Sequence, residues 1–69
     1  MTEAMEILRV RAEHICVSDE VIENGLTYPI IVLARENGLI TVVLDAEPKH
    51  LLRRFTPAAE IDVVRAVEP

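Results

Sequence analysis

His14 and Cys16 stand two residues apart, the only place in the chain where a thiol and an imidazole are near neighbours. On an extended strand that spacing turns both side chains to one side, where they could share a metal ion or act as nucleophile and base. Either role asks for more than a pair. A zinc site takes three or four ligands, and the other candidates, His50, Asp19 and Glu20, stand at no ligand-motif spacing. Catalytic Cys–His pairs meet across a fold rather than along one strand, and a lone strand cysteine is ordinarily a small buried hydrophobe. No catalytic residue, metal or cofactor is therefore assigned, and a metal- or thiol-dependent enzyme is the least supported reading. Gly25 and Gly38, the only glycines, are both explained by turns, which leaves no glycine-rich phosphate cradle. The adjacent acids Asp19 and Glu20 are expected in an exposed turn, solvated rather than engaged in proton transfer.

The cations are the second source of chemistry. Lys49, His50, Arg53 and Arg54 fall in a stretch without an acid. On a helix they would flank a Leu51, Leu52 and Phe55 stripe and could face nucleic acid or an acidic peptide. The composition weighs against a polyanion. The formal charge is −5, whereas such binders normally carry a positive field. One Tyr and one Phe offer little for base stacking. A solvated face whose cations answer the surrounding acids, including those of a neighbouring subunit, is the favoured reading of this stretch.

The element that must position everything else is Tyr28–Asp45. Two aliphatic runs flank Asn37-Gly38, the dipeptide best suited to the paired positive φ angles of a type I′ turn. A two-residue turn sets the register from Glu36 opposite Leu39 back to Ile31 opposite Leu44. One face then carries Ile31, Leu33, Ile40, Val42 and Leu44; the other carries Ile30, Val32, Ala34, Leu39 and Val43. Neither face alternates toward a polar surface, so both are expected to be covered.

Upstream, Leu8, Val10 and Ala12 alternate with Arg9, Arg11 and Glu13 and predict a strand over 6–17, with a break in phase near Glu13-His14. Asn24-Gly25 repeats the turn chemistry of Asn37-Gly38, which makes a meander. Pro29, lacking an N–H, is expected at a strand start or an edge. Downstream, Pro48 suits the first position of a short helix over 48–55. The β-branched run in 60–67 favours a strand over a second helix. The expected fold is α+β: a small antiparallel meander of three to five strands around hairpin 28–45, with that helix and a C-terminal strand. The alternative is a small five-stranded β-barrel.

The chain reads as a single domain, 1–69, with residues 1–5 frayed. A domain of this length buries only about 60% of the surface its unfolded chain exposes. Cys16 is the only cysteine, so no internal disulfide can supplement the core, and a reducing, cytoplasmic setting is expected. No signal-like start and no apolar run of membrane-spanning length is present, so no membrane partner is expected. A second copy is the remaining support. The leading expectation is a non-enzymatic interaction module that self-associates as a homodimer through its sheet, using Ile30, Val32, Leu39 and Val43, with a further protein partner allowed. The alternative is a small nucleic-acid-associated regulator presenting Lys49, His50, Arg53 and Arg54.

Overall fold

The computed structural model describes residues 4–67. It consists of six strands: β1 (Ala4–Arg11), β2 (Glu20–Glu23), β3 (Leu26–Glu36), β4 (Leu39–Ala46), β5 (Lys49–Phe55) and β6 (Glu60–Val67), with a 3-10 turn at Ala12–His14. The sheet order is β1-β6-β2-β3-β4-β5, and every neighbouring pair is antiparallel. Ala4 and Met5 belong to β1, while Met1–Glu3 lie outside the described residues. Among the described residues no helix is long and apolar enough to cross a membrane.

Both Asn-Gly pairs form the turns their chemistry predicts. Asn24 and Gly25 have φ of 52° and 78°, and Asn37 and Gly38 have 51° and 75°, the left-handed values a type I′ turn requires at both central positions. The second turn pairs Glu36 with Leu39 and holds the expected register as far as Val32 opposite Val43. There the ladder slips. Ile30, not Ile31, faces Leu44, so the bulge sets both Ile31 and Val32 against Val43. Ile30 turns into the core, and Ile31 is left 46% exposed.

This bulge makes β3 the corner of the molecule. Its first half pairs with β2 and its second with β4, as strands do where one sheet turns into another. The inner faces of the two halves meet in one core: Val21, Ile61 and Val63 from one side, Ile30, Ile40, Val42 and Leu44 from the other, with Ala12 and Ile15 closing an end. Pro29 sits within β3 opposite Glu20, just beyond the ladder with β4, which ends at Ile30 opposite Leu44, so β3 is a local edge there, as expected, although the strand starts earlier, at Leu26. An edge tolerates a residue without an N–H because no neighbouring strand on that side requires its hydrogen bond.

The α+β expectation is overturned. Residues 49–55 form β5, paired along its length with β4 from Ile40 opposite Phe55 to Ala46 opposite Lys49. A two-turn helix is marginal on its own, whereas β4 offers a row of backbone donors and acceptors that must be paired or left to water. Pro48 lies in the β4–β5 turn, and its peptide bond with Glu47 is cis. Leu51 and Phe55 pack on the core, while Leu52 points to the opposite face. Residues 60–67 form a strand, as their β-branched content favours. The first strand is shorter than 6–17 because Ala12 N–H donates to Ala59 O and Glu13 N–H to Pro57 O, which turns the chain across the end of the sheet. The five-stranded barrel fits in part. The sheet curls as expected, but it has six strands, and β1 and β5 remain its edges among the described residues.

Candidate functional site

The chemistry around His14 and Cys16 is arranged differently from a strand pair. His14 ends the 3-10 turn and Cys16 follows it in the connection to β2. Both are exposed, and the thiol donates to the His14 carbonyl at 3.8 Å rather than meeting the ring. The residue that organises this segment is Asp19, expected in solvent and found 1% exposed. Arg65 donates from Nε to Oδ1 and from Nη2 to Oδ2, each at 2.8 Å. Cys16 N–H donates to Oδ2 at 2.9 Å. Arg65 Nη2 also reaches the His14 carbonyl at 3.3 Å and Cys16 Sγ at 3.7 Å.

The Arg65 hydrogen bonds, with the Cys16 N–H and the guanidinium charge, hold the Asp19 carboxyl below its ordinary range against the opposing effect of burial. The same bonds raise Arg65 further above its already high value. A bidentate pair of this kind is strong and directional. It ties the 12–19 connection to β6 through the Nε and Nη2 edge of Arg65. Among the described residues no group of three or more His, Cys, Asp and Glu side chains could hold a metal ion.

The four cations expected on one helix are divided by β5. Alternation sends Lys49 and Arg53 to the face carrying Leu51 and Phe55, and His50 and Arg54 to the other. Arg53 donates to Glu23 from Nε at 3.0 Å and from Nη2 at 3.0 Å, so it bridges β5 and β2 across the curl of the sheet. His50 Nδ1 lies 3.9 Å from Asp45. A continuous cationic surface is therefore not formed by these four residues.

Arg53 and Arg65 each occupy an inward position in an otherwise apolar alternation, the first between Leu51 and Phe55, the second after Ile61 and Val63. That anomaly is the signal sequence reading missed. A cation at a core position requires an acid within reach, and Glu23 and Asp19 supply it from far along the chain.

The outer face of β3, β4 and β5 carries the expected self-association residues, with one exchange. Val32 is 47% exposed, Val43 is half-buried beside it, and Leu39 is half-buried at the turn end of the same face opposite Glu36, whereas Ile30 has moved to the core. In its place the face gains Ile31 from the bulge and Leu52, 48% exposed, opposite Val43. Val32, Val43 and Leu52 form one row across three strands. The next row is Ala34, Thr41 and Arg54, in which Thr41 is 8% exposed and its Oγ1 has no hydrogen-bond partner. Comparison with family models, curated proteins and solved structures finds no match.

Proposed function

We propose that this chain is a non-enzymatic interaction module that self-associates through the outer face of β3, β4 and β5. The observation that carries the reading is the row Val32, Val43 and Leu52 with its neighbour Ile31. Ile31, Val32 and Leu52 are 46%, 47% and 48% exposed, side by side on a sheet face that no described element covers. Contiguous apolar surface rimmed by polar groups marks interaction sites on small soluble domains. Here the rim is Glu36, Asp45, His50 and Arg54. The single cysteine agrees with a reducing compartment such as the cytoplasm.

Light scattering after gel filtration, over micromolar concentrations, tests the proposal. A dimer is expected for the unaltered chain, and Leu52→Glu should give a folded monomer with an unchanged far-ultraviolet circular dichroism spectrum. A single species of 7.7 kDa at every concentration would overturn it.

A further inference from the structure

We infer that the partner of this face is a second copy of the chain, related by a two-fold axis running along β4, so that Arg54 of each copy meets Glu36 of the other. The inference rests on the self-association reading and gives it a geometry. Arg54 and Glu36 are both exposed and enter no ion pair among the described residues. They share the outer face but lie on strands that flank β4 on opposite sides. Arg54 is level with Ala34, through Thr41, and Glu36 is the next outward residue along β3, about 7 Å further on.

An axis along β4 preserves level and exchanges left for right. It lays β5 of one copy over β3 of the other, so that Leu52 falls on Val32 and Val43 on its own counterpart. Arg54 then lies over Ala34, the smallest side chain of that row. Its guanidinium has room there to extend to Glu36. The same contact occurs twice by symmetry, as an isologous interface requires. An axis across the strands would instead lay Arg54 over His50, beside an Asp45 that already faces that imidazole, and would leave Glu36 unopposed. The first arrangement brings the two Asp45 carboxylates together on the axis, each beside a His50, but it alone pairs both free charges, Arg54 and Glu36, and on that ground it is preferred.

Three strands about 4.8 Å apart and some eight residues long present roughly 14 by 25 Å of sheet face. With side-chain relief this approaches the ~600 Å² per partner at the lower limit of specific interfaces. A dissociation constant in the micromolar range is expected, on the order of 1–100 μM, because area near that limit leaves little after the cost of association.

Charge exchange tests the geometry. Arg54→Glu and Glu36→Arg should each weaken the dimer by roughly tenfold or more through repeated like-charge contacts. The double variant should regain dimerisation. An equimolar mixture of the two single variants should form a heterodimer, visible at its own mass by native mass spectrometry, because both ion pairs are restored in it. If Leu52→Glu dissociates the dimer but neither the double variant nor the mixture recovers, the axis is wrong and the face reading stands. If Leu52→Glu leaves the dimer intact, the face reading itself falls.

Discussion

Replacing Asp19 by Ala removes the acceptor of three hydrogen bonds from a side chain with no exposed surface. Breaking a fully buried pair costs about 3–5 kcal/mol. The orphaned Arg65 side chain is 32% exposed and can recover water, so the expected loss is smaller, about 2–3 kcal/mol. Against a total of roughly 3–10 kcal/mol for a domain of this length, that is a large fraction, and it corresponds to a fall in Tm of roughly 10–20 °C. Arg65→Ala should cost more, about 3–5 kcal/mol, because the group it strands, Asp19, has no route to solvent.

The pH dependence follows from the direction of the shift. The folded Asp19 carboxyl titrates below its unfolded value of about 3.9. Its contribution is therefore complete above that value and lost as the pH falls through the folded one. The gap in stability between the unaltered chain and Asp19→Ala should stay level from about pH 5 to 8 and narrow below about pH 4. Urea unfolding followed by far-ultraviolet circular dichroism measures it without tryptophan. A gap under about 0.5 kcal/mol at neutral pH, or one that does not narrow in acid, would refute the role assigned to this pair.

Three further substitutions probe the fold. Val42 has no exposed surface, and Val42→Asp would bury an unpaired charge at a cost exceeding the stability of the domain; a cooperative urea transition in that variant would show the core to be misplaced. Thr41→Val removes the unpartnered hydroxyl at nearly constant volume and should stabilise by about 1 kcal/mol in the same titration. Gly38→Ala meets nothing within 4 Å, but its φ is +75°, so a loss of about 1 kcal/mol should arise from backbone conformation alone and appear as a lower urea midpoint.

Much of the local structure was determined by residue type. Asn24-Gly25 and Asn37-Gly38 specify their turns because few other pairs accept positive φ at both positions, and the second of them sets the hairpin register through to Val32. The β-branched residues of 60–67 favour the strand they form. Residues 48–55 were not legible in this way. Leu51, Leu52 and Phe55 satisfy a short helical stripe, and only the unpaired edge of β4 makes the strand the better solution. Arg53, at an inward position, hides the alternation until Glu23 is brought beside it.

The candidate site divides along the same line. Val32, Leu39 and Val43 could be assigned to one common face from the turn alone, since register follows from a two-residue loop. Ile30 could not. The bulge beside it belongs to a strand that bends to serve two halves of a sheet, and that bend is a property of the closed core. Asp19 and Arg65 are 46 residues apart, and nothing in either neighbourhood names the other. A buried charge is stable only with its counter-charge in place, and which residues meet is decided by the tertiary fold.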